Sequence, residues 1–139
     1  MLKNIPKIIS PELLKILCEM GHGDEIVIAD GNFPVESIGQ RVVRLDGHNV
    51  PEILKAVLEL FPLDIYETPV HIMEKVKGDT VETPIWEEYK AIIADHTNKK
   101  IENIERYAFY ERAKKAYCVV ATGEGALYAN IILKKGVVV

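Results

Sequence analysis

The run Gly21-His22-Gly23-Asp24-Glu25-Ile26-Val27-Ile28-Ala29-Asp30-Gly31 constrains the fold of this chain more than any other segment. Ile26 to Ala29 are four consecutive apolar residues between turn signals, which fits a buried strand better than a helix. Similar runs recur at Cys118-Val119-Val120-Ala121 and Asn130-Ile131-Ile132-Leu133, joined through Thr122-Gly123-Glu124-Gly125. Arg41 to Leu45 reads as a further strand ending at the turn Asp46-Gly47, and Val70 to Val76 as another ending at Gly78-Asp79. Helical signals alternate with these strands. Ser10-Pro11-Glu12 combines an N-cap serine, a proline at the first helical position and an acid in the first turn. Leu13, Leu14, Ile16, Leu17 and Met20 follow as one apolar stripe, and Gly21 supplies the stop. Pro51 opens a second helix with Ile53, Leu54, Val57, Leu58 and Phe61 on one face, closed by Pro62. Thr83-Pro84 starts a third, with Ile85, Tyr89, Ile92 and Ile93 as its stripe, and the polar stretch 95–100 is a surface connection. A fourth is predicted over Tyr110 to Tyr117, where Glu111 and Lys115 stand at a favourable i,i+4 spacing. Alternating helices and strands without repeats predict one layered α/β domain over residues 1–139.

Charge and composition exclude several classes of function. Seventeen basic residues are outnumbered by 21 acidic ones, giving a net charge of −4 and no electrostatic footprint for nucleic acid. No apolar run approaches the ~18 residues of a membrane span. Met1 to Pro6 lack the apolar core of a signal peptide, so a cytoplasmic location is expected. Cys18 and Cys118 fit no zinc or C-x-x-C spacing and are expected to be reduced packing residues in apolar surroundings. Gly21-His22-Gly23 lacks the third glycine of a dinucleotide fingerprint, and no Walker A motif or Gly-x-Ser-x-Gly elbow occurs. His22 and Asp24 have no second histidine at ligand spacing, so no metal site is expected.

His22 lies just before the Ile26–Ala29 strand and Asp30 just after it. Glycines on both sides of His22 let the backbone approach a ligand closely and adopt positive φ. An imidazole and a carboxylate on loops flanking a rigid strand suit acid/base chemistry. Asp24 is a candidate to orient the His22 ring. His48, His71 and His96 read as structural or solvent-exposed.

Three separated segments carry a more specific signal. Gly21-His22-Gly23-Asp24-Glu25 behind the helix at Glu12 to Lys15, then Arg106-Tyr107-Ala108-Phe109-Tyr110-Glu111-Arg112, then Tyr128-Ala129-Asn130-Ile131-Ile132-Leu133-Lys134-Lys135-Gly136 together resemble the RbsD/FucU family of small cytoplasmic sugar mutarotases. The likeness spans nearly the whole chain, in the right order, and is greatest to the L-fucose branch. It implies an α/β/α layered domain with a central mixed sheet, and cofactor-independent interconversion of the α and β anomers of a monosaccharide. L-fucose is favoured over D-ribose because the ribose branch lacks the run from Arg106 to Arg112. Carried over residue by residue, the resemblance makes His22 the catalytic acid/base with Tyr128 relaying or orienting a second proton. It makes Asp30, Arg106, Tyr128, Ala129 and Asn130 the substrate-binding set. It also implies a homo-oligomeric ring, typically a decamer, with sites between neighbouring subunits. Asn32 departs from the pattern, since a histidine is expected there in bacterial members. A non-catalytic sugar-binding accessory of an uptake system would need the same binding residues.

Overall fold

The computed structural model describes all of residues 1–139. Five helices and six strands alternate along the chain: α1 (Pro11–Glu19), β1 (Glu25–Ala29), α2 (Val35–Ile38), β2 (Val42–Leu45), α3 (Val50–Leu58), β3 (Val70–Met73), α4 (Ile85–Ala94), β4 (Glu102–Ile104), α5 (Arg106–Lys115), β5 (Cys118–Thr122) and β6 (Ile131–Lys134). The strands form one sheet in the order β2-β5-β1-β6-β3-β4. β1 pairs in parallel with β5, Val27 opposite Val119, and antiparallel with β6, Val27 opposite Ile132. β5 and β2 are parallel, as are β3 and β4, while β3 and β6 run antiparallel. Five strands therefore point one way and β6 alone returns.

Side chains alternate across a strand, so each apolar run feeds two cores. Ile26 and Ile28 face a large cluster with Leu13, Ile16 and Leu17 of α1, Ile53, Leu54 and Val57 of α3, and Ile85, Tyr89 and Ile93 of α4. Val27 and Ala29 face a smaller one with Phe33, Val35 of α2, and Phe109 and Ala113 of α5. Helices thus cover both faces of the sheet, which explains why these strands read as unbroken apolar runs rather than alternating ones.

The observed caps match their signals in part. The Ser10 hydroxyl accepts the Leu13 N–H at 3.2 Å, and Glu52 reaches back to the Asn49 N–H at 2.9 Å. Thr83 does not cap α4 with its side chain, because the helix begins at Ile85 and Pro84 takes the cap position. α5 starts four residues earlier than its pattern predicts, at Arg106, where the Glu105 carboxylate caps the Ala108 N–H at 3.0 Å. β3 ends at Met73 rather than Val76, and α2 and β4 are additional elements. Cys118 is buried as expected, and burial pushes its thiol up to about 12. Cys18 is instead exposed, on the outer side of α1. No helix is long and apolar enough to cross a membrane.

His71 is the one buried side chain with an unpartnered polar atom, its Nδ1. It shares a sheet face with Met73, and its Nε2 stands 3.5 Å from Glu102 on β4. Burial lowers its pKa below the ordinary 6.5, Arg112 adds to the effect, and Glu102 opposes it. The unfolded ring takes a proton near 6.5 that the folded ring resists. Stability contributed by the neutral ring is therefore present above that value and lost as pH falls through and below it. His71→Leu should flatten the dependence of melting temperature on pH between about 7 and 5. An unchanged slope in the variant would show that other groups carry it.

α4 is tied to the segment leading into β6 by the Tyr89 hydroxyl, which donates to the Ala129 carbonyl at 2.6 Å in a fully buried setting. Tyr89→Phe leaves that carbonyl unpaired, at an expected cost of about 1–3 kcal/mol. Urea unfolding at a single pH reads the loss directly, and an unchanged midpoint would mean that another donor replaces the phenol.

Candidate active site

Five parallel strands deliver their C-terminal ends to one edge of the sheet, and the antiparallel β6 begins at that same edge. Clefts outside the carboxyl ends of parallel strands are the usual binding sites of open α/β sheets. A pocket of about 260 Å³ lies there, walled by Asp30 and Phe33 after β1, Met73 and Val76 from β3 onward, Arg106 and Tyr110 on α5, and Leu127, Tyr128 and Asn130 before β6. Asn32 and Asp79 complete its rim. The volume lies below the ~300–1,000 Å³ of drug-sized sites and suits a small ligand.

Asp30 is buried at the floor. Its backbone N–H donates to the Asn130 side-chain oxygen at 2.7 Å, and its carboxylate accepts the Asn32 N–H at 3.0 Å. Burial pushes the Asp30 carboxyl above its ordinary value, against the pull of the Asn32, Ala129 and Phe33 amides. Gly31 beside it donates its N–H to the Glu124 carbonyl at 2.8 Å, and an added Cβ would be crowded at 3.1 Å from that oxygen. With its oxygen occupied by Asp30, Asn130 keeps its amide N–H₂ as a donor.

Tyr128 occupies a left-handed backbone conformation, φ 55°. A non-glycine residue is strained there and persists only where its surroundings fix it. Trp86 Nε1 donates to the Tyr128 carbonyl at 2.8 Å, and Tyr89 holds the next one. The Tyr128 hydroxyl donates to Asp79 at 2.6 Å and accepts the Val76 N–H at 3.2 Å, joining β6 to the loop after β3. The Asp79 carboxylate raises the phenol's pKa. Ala129 is fully buried and reaches the site only through its backbone. Arg106 makes no ion pair with Glu102 or Glu105; its guanidinium lies over the Tyr107 ring and donates to the Tyr107 hydroxyl at 2.8 Å.

His22 is not in this pocket. Five residues of β1 at ~3.3 Å each put it roughly 17 Å of strand away from Asp30. Within one chain the two groups lie apart, because a straight strand separates its own ends. His22 sits half exposed at the opposite edge, with Nε2 3.0 Å from Asp64 Oδ1 and its ring 5.7 Å from that of Tyr66. Gly23 beside it adopts φ 88°, as the glycine-flanked sequence predicts. Asp24 does not orient the imidazole: its carboxylate accepts the Gly21 N–H at 2.7 Å, and the carboxylate within hydrogen-bond distance of the ring is that of Asp64.

The pocket thus brings together Asp30, Arg106, Tyr128 and Asn130 and leaves His22 outside. Sequence reasoning missed Tyr110, Asp79 and Asp64. Tyr110 stood inside the quoted aromatic run; the two aspartates carry no local pattern.

A family model described as the RbsD / FucU transport protein family matches residues 3–138. The fucose mutarotase of Mus musculus is 54% identical over 143 residues, covering 97% of this chain and 94% of that protein. The crystal structure of the fucose mutarotase in complex with L-fucose from Streptococcus pneumoniae is 54% identical and superimposes over 99% of this chain and all 100% of the other, with a TM-score of 0.95. Bacillus subtilis RbsD complexed with D-ribose also aligns along the full length of both chains, at 26% identity and a TM-score of 0.76. Sequence and fold agree over nearly every residue, and the chain belongs to the RbsD/FucU family.

Proposed function

We propose that this protein is an L-fucose mutarotase, interconverting the α and β anomers of the sugar without a cofactor. The observation that carries this reading is the pocket at the strand ends, whose carboxylate, amide, guanidinium and phenol groups offer both donors and acceptors to a polyhydroxylated ring. Similarity to proteins named fucose mutarotases supports the choice of sugar, and the ribose-bound relative is more distant. The reaction is proton transfer. One group protonates the ring oxygen while another removes the anomeric hydroxyl proton. The C1–O5 bond opens to the aldehyde, rotation about C1–C2 presents the other face, and closure gives the other anomer. Acid/base assistance of this kind contributes about 10²–10⁴-fold. Spontaneous mutarotation already runs in water, so a modest site is enough.

His22 serves as the acid/base, supplied to each pocket by a neighbouring copy in a ring, which we take to be a decamer. Two different surfaces at opposite ends of β1 make a head-to-tail contact, the kind that closes into rings. Apolar side chains are exposed at both ends: Ile65, Tyr66, Val138 and Val139 beyond His22, and Val76, Tyr107 and Leu127 around the pocket. Tyr128 relays the second proton through its hydrogen bond to Asp79, while Asp30, Arg106 and Asn130 hold hydroxyls and the Ala129 backbone completes the floor. Two unpaired cysteines fit a cytoplasmic setting. A second reading, sugar binding without chemistry, draws on the family's description as a transport protein family.

Saturation-transfer NMR on L-fucose separates the two, since only a mutarotase accelerates anomer exchange. His22→Ala and Asp30→Asn should each abolish the catalysed exchange, with the first leaving sugar affinity within about tenfold, because a group acting mainly in the transition state costs turnover more than binding. Co-assembled in equal amounts, the two inactive variants should regain about a quarter of wild-type exchange, from interfaces that combine two intact halves. Silence in the mixture would place both groups in one subunit's site.

Arg106 is the specificity test. Losing hydrogen bonds to a buried sugar hydroxyl costs roughly 1–3 kcal/mol each. Arg106→Ala should slow L-fucose exchange strongly and D-ribose exchange less, with both sugars measured side by side. Better wild-type exchange of D-ribose, indifferent to the substitution, would overturn the L-fucose assignment.

A further inference from the structure

Trp86 stands in the first turn of α4, its ring partly buried against the larger core. It is tied to the pocket twice. Its indole N–H donates to the Tyr128 carbonyl at 2.8 Å, and the Lys75 ammonium lies over its ring, 5.5 Å from the centroid. Lys75 belongs to the exposed strap between β3 and α4, which also carries Val76 and Asp79. Those two residues meet the Tyr128 hydroxyl, which accepts the Val76 N–H at 3.2 Å and donates to Asp79 at 2.6 Å. The contacts close a circuit: indole to carbonyl, along the tyrosine to its hydroxyl, across to the strap, and back through Lys75 to the indole. Within residues 75–82 the other hydrogen bonds are internal, from the Asp79 N–H to the Val76 carbonyl and from the Val81 N–H to the Asp79 carboxylate. The Tyr128 hydroxyl is thus the strap's hydrogen-bond anchor to the body. Its own backbone, at φ 55°, is disfavoured for a residue with a Cβ, so the conformation needs an outside partner, and the Trp86 N–H is one.

We infer that Trp86 is the positioning residue of the proton relay, holding Tyr128 by its carbonyl and the Asp79 strap by Lys75 so that phenol and carboxylate meet beside the sugar. The inference rests on the mutarotase reading and deepens it. On opening, the O1–H proton passes to the phenol oxygen as the phenol's own proton passes to Asp79, and the carbonyl forms at C1. The C1–O5 bond breaks in the same step, and O5 takes a proton from His22. Closure on the other face reverses both transfers, so every group regains its starting state. A relay of two linked transfers works only when its donor and acceptor are aligned in advance. The indole does not line the pocket and exchanges no proton. It fixes the two groups that do.

Kinetics and spectroscopy on the whole protein test this together. Trp86→Phe keeps an aromatic ring for the core and removes the N–H. It should lower kcat for L-fucose exchange about tenfold, with KM changed less than about threefold, the pattern of a loss felt in the transition state. Lys75→Met, at the surface, keeps the apolar stem but drops the charge over the indole, and should lower kcat about two- to fivefold. Ile93→Val, a core change two turns further along α4, is the stability control: it lowers the melting temperature and leaves kcat intact. ¹³C NMR of protein carrying tyrosine labelled at the ring ζ-carbon reads the relay without turnover. Asp79 holds the Tyr128 phenol above its ordinary 10.0, and Trp86→Phe should bring it back down as the two groups drift apart. Full kcat in Trp86→Phe or Lys75→Met, a kcat loss shared by Ile93→Val, or a Tyr128 titration unmoved by Trp86→Phe would overturn the inference while leaving the mutarotase intact. Wild-type protein that fails to accelerate exchange would overturn the function reading and this inference with it.

Discussion

β1 is hydrogen-bonded along both edges, to parallel β5 and to antiparallel β6, and its side chains are buried on both faces. Nothing in such a strand can bend, slip or flip without unpairing two neighbours at once and exposing apolar side chains on each side. Every chemical group in the molecule is located relative to it. Asp30 is its direct continuation at one end. His22 precedes it at the other, separated only by the turn through Gly23. Asn130 meets Asp30 because β6 runs antiparallel and so begins where β1 stops.

Around this frame the pocket is assembled by hydrogen bonds from the helix that covers the larger core. Trp86 and Tyr89 of α4 take the two successive carbonyls of Tyr128 and Ala129, which forces the left-handed turn at Tyr128 and aims its ring toward the loop after β3. A core helix thereby shapes a site on its far side without lending it a side chain. Tyr128 in turn pins Val76 and Asp79, so the rim of the pocket is tied through it to α4.

Much of this was legible in the chain itself. The apolar runs at Ile26, Cys118 and Ile131 identified the three central strands, and α1 and α3 followed from their caps and stripes. Edge elements were harder. β4 is three residues long, Glu-Asn-Ile, and is a strand only because β3 lies beside it. The first turn of α5 buries only Phe109, so its sequence lacks an apolar stripe and reads as an aromatic loop. Within the site, contiguous motifs marked Asp30, Arg106, Tyr128 and Asn130. Asp64 was invisible because it is 42 residues from His22 and lies in a polar stretch after Pro62. Asp24, two residues away, was the natural guess. Proximity in sequence favoured it, but the turn spends its carboxylate on the Gly21 amide. The separation of His22 from Asp30 was the clearest lesson: adjacency to one strand is not adjacency in space.

The same rigid strand has a consequence for the proposed assembly. If each copy offers His22 at one end of β1 and a pocket at the other, the sheet acts as a ruler between consecutive sites around the ring. Site spacing is then inherited from backbone geometry, one strand length per subunit, and is independent of surface loops. A change in the number of copies would alter the angle between neighbours but not this interval. Motion in one site would reach the next only by shifting the sheet as a body, and a sheet paired on both edges and packed on both faces resists that. Such a ring is built for many equal sites working in isolation rather than for cooperative ones.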